Sequence, residues 1–143
     1  MNDQRLWSLL WPLLPADFDC VHVPLEQAQS RQQMQDMIAA ACRDESHLIG
    51  FSMGAYLALE FAHHRPSQWR SLSLLAVNSQ GLAPAEATLR QAMLAWLAQH
   101  RYTGMARQRL LQLLHPQHQA NQAIIALIRA MDQELGHECC ACN

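Results

Sequence analysis

The chain has 143 residues, half of them hydrophobic and 15% charged, with a formal net charge of −2. That is enough to bury one core without disulfide or metal staples, and it is unlike a disordered or nucleic-acid-coating chain, so no nucleic-acid partner is expected. The longest apolar stretch, Leu6 to Leu14, is interrupted by Pro12 and is far too short to cross a bilayer, and no small-x-small cleavage site follows it, so neither a membrane span nor a signal peptide is expected.

In chain order, Leu6, Leu9, Leu10 and Leu13 fall at helical spacing. They predict a short helix from about Asp3, kinked or ended by Pro12 and closed by Pro15, with an apolar face that needs a sheet to rest on. Phe18 to Val23 alternates apolar and polar residues before Pro24, as a strand would. Gln27 to Cys42 returns to helical period through Met34, Met37, Ile38, Ala41 and Cys42. A short apolar run, His47 to Phe51, passes without a spacer into Met53 to His64, a helix apolar on most sides, and Leu72 to Val77 supplies another buried strand. Strands alternating with helices imply an α/β chain with parallel strands and flanking helices.

After Gly81 the alternation stops. Three amphipathic helices are predicted, Pro84 to about Arg101, Met105 to Leu114 and His118 to Leu135. The stripes Leu89, Ala92, Met93, Trp96, Leu97 and Ile124, Leu127, Ile128, Met131 each require burial, and Gly136 would cap the last helix. The expected organisation is therefore a core over 1–80, a helical cap segment over 81–136 and an unstructured Cys-rich tail over 137–143.

The cysteines are Cys20, Cys42, Cys139, Cys140 and Cys142. Cys20 and Cys42 sit among apolar neighbours as small hydrophobes, which fits a reducing, cytoplasmic compartment. The terminal cluster lacks a second ligand pair, so no metal site is assigned. No phosphate-cradling loop is present, and no cofactor is expected.

The chemistry concentrates at Gly50-Phe51-Ser52-Met53-Gly54, where a strand meets a helix. In a nucleophile elbow the serine occupies a sharp, strained turn, and flanking glycines avoid collision with neighbouring strand and helix. Ser52 also stands at a helix N-terminus, where the Met53 amide can donate to a developing oxyanion. The plainer reading is a glycine-bearing turn that only packs.

The stretch His47 to Pro66 (HLIGFSMGAYLALEFAHHRP), followed by Leu72 to Ser79 (LSLLAVNS), resembles the α/β-hydrolase superfamily, particularly small capped serine esterases and acyl hydrolases. The resemblance runs from the first residues to about Gly136. It implies a partial α/β-hydrolase fold, Ser52 as nucleophile, the Met53 amide as half of the oxyanion hole, an acyl-enzyme intermediate, a small-molecule acyl ester substrate and a cap shaping the acyl pocket. It also implies a partial chain, because the family's N-terminal oxyanion loop and C-terminal acid and histidine have no counterparts here. The alternative acid position, after the strand that follows the nucleophile helix, reads Asn78-Ser79.

The eight histidines offer no evident base. His63 and His64 lie roughly 15 Å along the helix from Ser52. His22 and His47 sit at strand ends, His100, His115 and His118 at helix ends, and His137 in the tail. The family's third strand would lie between Phe18–Val23 and Leu48–Phe51. Its loss predicts self-association through an exposed sheet edge. Two functions follow: a serine hydrolase, weakly active or inactive as this chain, or a non-catalytic truncated or frameshifted fragment or binding protein.

Overall fold

The protein is described by a computed structural model that covers residues 2–78 and 80–139, excluding the side chains of 137–139. It is a mixed α/β chain with five α-helices and a two-stranded parallel sheet among the described residues. No helix of the described residues is long and apolar enough to cross a membrane. The chain divides into two compact units, Asp19–Ala87 and Met1–Phe18 with Thr88–Asn143. This partition differs from the expected boundary at 80/81, because the N-terminal turns belong with the helical segment: Arg5 bonds both Asp3 and Glu134.

In the first unit, helix α1 (Arg31–Ala41) begins where the Ser30 hydroxyl accepts the Gln33 amide at 3.1 Å, satisfying one of the unpaired N–H groups of the first turn. The cap explains why the helix starts after the expected Gln27, which instead ends a 3-10 turn over Leu25–Gln27. Met34 and Ile38, four residues apart, turn inward. They join Ala28, Leu57 and Phe61 in a core bordered by Val23, Leu25, Met37 and Leu48. Fully burying a side chain of this size stabilises by about 1.5–3 kcal/mol, so Phe61, 3% exposed, is a principal anchor.

Strand β1 (Ser46–Phe51) pairs in parallel with β2 (Trp69–Leu75), connected by helix α2 (Met53–His64), with Leu48 opposite Leu72 and Phe51 opposite Leu75. On α2, Ala55, Leu57, Ala58, Phe61 and Ala62 are buried, as expected for a helix apolar on most sides. Arg31 and Gln35 of α1 both bond Glu60 of α2, and Gln35 also donates to the Leu57 carbonyl. β2 stops at Leu75 rather than Val77 because Ala76 turns to φ 54°, out of the β region.

Phe18–Val23 is not a strand. Alternation can place side chains, but a strand requires a ladder, and β1 pairs only with β2 among the described residues. Phe18 and Val21 are consequently exposed.

The N-terminal helix is likewise replaced by two 3-10 turns, Gln4–Trp7 and Trp11–Leu13. Asp3 does cap the first, its carboxylate accepting the Arg5 amide at 2.8 Å, but Pro12 has no N–H with which to continue a helix. Leu9 and Leu13 stay exposed.

The later helices are α3 (Pro84–Leu97), α4 (Arg107–Gln112) and α5 (Gln122–Cys139). The expected burial of the α3 stripe is confined to Leu97, which is half-buried; Leu89 is 71% and Met93 64% exposed, with Trp96 also open to solvent. Helical spacing reports a shared face, not a partner for it. On α5, Ile125 and Met131 are buried and Ile124, Leu127 and Ile128 half-buried, as the spacing required.

Gly136 does not end α5. It lies within the helix, which runs on to Cys139, so the expected unstructured tail is helical over 137–139 and residues 140–143 lie outside the described set. A side chain at Gly136 would overlap the Tyr102 ring, so this glycine serves close packing.

Candidate active site

The site is built by the junction of β1 and α2. Ser52 occupies it with φ 52° and ψ −117°, a backbone conformation that an L-residue adopts only where its surroundings impose it. Two features impose it. The Ser52 amide donates to the Leu75 carbonyl at the end of β2, at 2.9 Å. The Ser52 carbonyl accepts the Ala55 amide at 3.0 Å, starting α2 directly behind the turn.

The two flanking glycines are not equivalent. A Cβ on Gly50 would lie 2.6 Å from the Ala55 Cα and 2.7 Å from the Gly54 carbonyl oxygen, so β1 can run this close to α2 only with glycine there. A Cβ on Gly54 would meet only the Leu25 side chain at 3.7 Å, an ordinary contact. The expected collision is therefore present at Gly50 and absent at Gly54, since the segment facing Gly54 is a side-chain tip rather than a strand backbone.

Ser52 is exposed and its hydroxyl makes no hydrogen bond among the described residues. Met53, also exposed, is the first residue of α2, and its amide has no acceptor among the described residues. That free N–H and the positive end of the helix dipole face the same end of the sheet as the serine. A carbonyl attacked by Ser52 would find one oxyanion donor there. Ser52 and Met53, neighbours in the sequence, both stand at the junction of β1 and α2.

Among the described residues no histidine side chain hydrogen-bonds Ser52. His47 Nδ1 is 2.7 Å from the Ser71 hydroxyl across the sheet. His22 Nε2 is buried without a hydrogen bond, 3.6 Å from a Glu26 carboxylate oxygen. His63 and His64 are exposed at the far end of α2. His100 Nδ1 meets the Trp96 carbonyl, and His115 accepts the Gln117 amide. His118 lies within the 3-10 turn Pro116–His118, and the His137 side chain is outside the described set.

At the alternative acid position Asn78 is exposed and Ser79 lies outside the described residues. The Asn78 side chain accepts the Gln80 amide at 3.0 Å. Its backbone is held by Tyr56, one turn along α2 from Ser52, whose hydroxyl donates to the Asn78 carbonyl at 3.2 Å and accepts its N–H at 3.4 Å. Sequence reasoning missed Tyr56. No sequence signal pointed to it, because its partner Asn78 lies 22 residues away.

A second group that sequence reasoning missed is Asp132 in the helical unit, 8% exposed. Its carboxylate accepts the Tyr102 hydroxyl and, at 2.7 Å, the Met105 amide. An open depression of about 320 Å³ beside it is lined by Arg101, Tyr102, Thr103, Gly104 and Gln133 and contains no residue of the elbow. No group of three or more metal-ligating side chains occurs among the described residues.

Comparison of the chain with protein-family models, curated proteins and solved structures gave no match in any of the three.

Proposed function

We propose that the chain is a serine hydrolase of the α/β-hydrolase superfamily, acting on a carboxylic ester or related acyl substrate through an acyl-enzyme on Ser52. The observation that carries this reading is the backbone of Ser52, φ 52° and ψ −117°, at a strand-to-helix junction closed by Gly50. A turn that only packs has no need of a serine in so costly a conformation, whereas an elbow uses it to lift the hydroxyl clear of the strand end. In the reaction the Ser52 Oγ bonds to the acyl carbon, the Met53 amide hydrogen-bonds the oxyanion, the acyl C–O bond breaks and the alcohol leaves with the serine proton, and water then cleaves the acyl-enzyme to release the acid and restore the hydroxyl.

A second reading, a binding protein without catalysis, is favoured by one observation: no histidine or carboxylate bonds Ser52 among the described residues. Without a base a serine is a weak nucleophile near neutral pH. One experiment separates the two. The chain and its Ser52→Ala variant are treated with a fluorophosphonate and examined by intact mass and peptide mapping. Labelling at Ser52 in the parent alone is the expected outcome of the hydrolase reading. An unlabelled but cooperatively folded parent would overturn it in favour of binding.

A further inference from the structure

We propose that the open depression beside Asp132 is a binding site for a small organic carboxylate, independent of any role for Ser52. Its lining, Arg101, Tyr102, Thr103, Gly104 and Gln133, lies wholly within the helical unit. Its volume of about 320 Å³ is at the small end of ligand pockets.

The loop that forms it is fixed in advance by one buried carboxylate. Asp132, on α5, is 8% exposed and accepts the Tyr102 hydroxyl on one side of the loop and the Met105 amide, at 2.7 Å, on the other. Between these two anchors Gly104 takes φ 99°, and a Cβ there would stand 3.4 Å from Asp132 Oδ2, so glycine alone follows this path without strain. The Tyr102 ring is seated against Gly136 of the same helix.

The loop held in this way keeps donors without partners. Among the described residues, neither the Thr103 nor the Gly104 amide has an acceptor. Arg101 forms no ion pair or hydrogen bond there, and the Gln133 side chain has no partner either. Arg101 carries the one full charge of the lining. The neighbouring acids are already occupied, Asp132 by the loop and Glu134 by Arg5 at 2.8 Å. This set of groups calls for an anion, and the planar guanidinium fork matches a carboxylate through two parallel hydrogen bonds. The carboxylate head is held by Arg101 and the loop amides, and the apolar body of the ligand lies along Tyr102.

The test titrates the whole, isotope-labelled chain with sodium benzoate and follows its backbone amide resonances. Shifts at Thr103 and Gly104 should saturate with a Kd on the order of 1 mM, the scale for a ligand of this size. Benzamide, which keeps the shape and lacks the charge, should bind about ten-fold more weakly, and so should benzoate to Arg101→Gln, the scale of a hydrogen bond to a charged group. Arg101 is exposed, so this variant should melt with the parent. If it does not, Gln133→Glu decides in its place: a like charge at that exposed helix position should weaken benzoate by a similar factor. Ser52→Ala should bind benzoate as the parent does.

Shifts that stay linear through the millimolar range overturn the site. So does benzamide binding as tightly as benzoate, or benzoate binding unchanged in Arg101→Gln, or in Gln133→Glu where that variant decides. Inorganic phosphate binding as tightly as benzoate would show a site for charge alone and overturn the carboxylate assignment. Saturating shifts at Met53 and Gly54 in place of Thr103 and Gly104 would put benzoate at the elbow and overturn the inference as well.

Discussion

In Asp19–Ala87 the polar group of interest lies in the open, whereas in the helical unit it lies inside. Ser52 is exposed, its hydroxyl is without a partner among the described residues, and its backbone is held at positive φ. Asp132 is buried, with both carboxylate oxygens occupied by Tyr102 and Met105. A buried carboxylate whose lone pairs are already engaged by donors stabilises the loop that supplies them and has little left to offer a substrate. An exposed hydroxyl on a strained turn does the reverse: it contributes little to stability and stays open to solvent. The difference separates a polar group that builds a fold from one that the fold presents.

The largest expected effect tests the presentation. Gly50→Ala would drive a methyl into the backbone of Ala55 and Gly54, which no rotamer change can relieve. It should destabilise by about 3 kcal/mol or more, seen as a lowered urea midpoint, or prevent folding. Gly54→Ala meets only a Leu25 methyl and removes a helix-weakening glycine, so it should be neutral or stabilising by up to about 1 kcal/mol. Equal losses in the two variants would show that the elbow is not asymmetric in the way its geometry indicates.

Next in size is the buried carboxylate. Asp132→Ala leaves the Tyr102 hydroxyl and the Met105 amide without their acceptor and should cost about 2–3 kcal/mol in urea unfolding. Tyr102→Phe, which removes one donor only, should cost about 1 kcal/mol. If Asp132→Ala were harmless, the carboxylate would not be a building element and its contrast with Ser52 would fail.

Ser52→Gly sharpens the comparison from the other side. Glycine adopts positive φ without the steric penalty of a side chain, so the variant should gain about 1 kcal/mol of stability while losing all fluorophosphonate labelling at this position. A loss of stability instead would mean that the serine conformation carries no strain.

The parts of the molecule that were legible in the sequence are those fixed by local chemistry. Met53–His64 was read to the residue because a Gly-x-Ser-x-Gly turn precedes it and the apolar run has one helical period. The β1 run was legible for the same reason, and that of β2 in part, over Leu72–Leu75. What was not legible depends on partners. Phe18–Val23 has the alternation of a strand and no ladder, Leu89 and Met93 have the spacing of a buried stripe and no cover, and Gly136 has the position of a cap but meets the Tyr102 ring. The Tyr56–Asn78 contact joins residues 22 apart in sequence, and neither residue alone carries a signal for it.

The smallest effect concerns pH. The Arg31 guanidinium bonds Glu60 and holds its carboxyl below the usual carboxylate range; desolvation opposes this, and Gln35 adds a further donor. Because the folded pKa is depressed, the contribution is fully present above the unfolded value of about 4.3 and is lost as pH falls through the folded value. The pair is largely solvent-screened, with the Arg31 side chain 75% and that of Glu60 32% exposed, so the loss should be about 1 kcal/mol at most. Urea midpoints measured between about pH 6 and pH 3 should fall more for the parent than for Glu60→Gln, the two converging at the acid end once Glu60 is protonated. Parallel pH profiles would show that the α1–α2 contact rests on Met34, Ile38, Leu57 and Phe61 alone, and that the charged rim of this unit is as dispensable as its exposed serine is to stability.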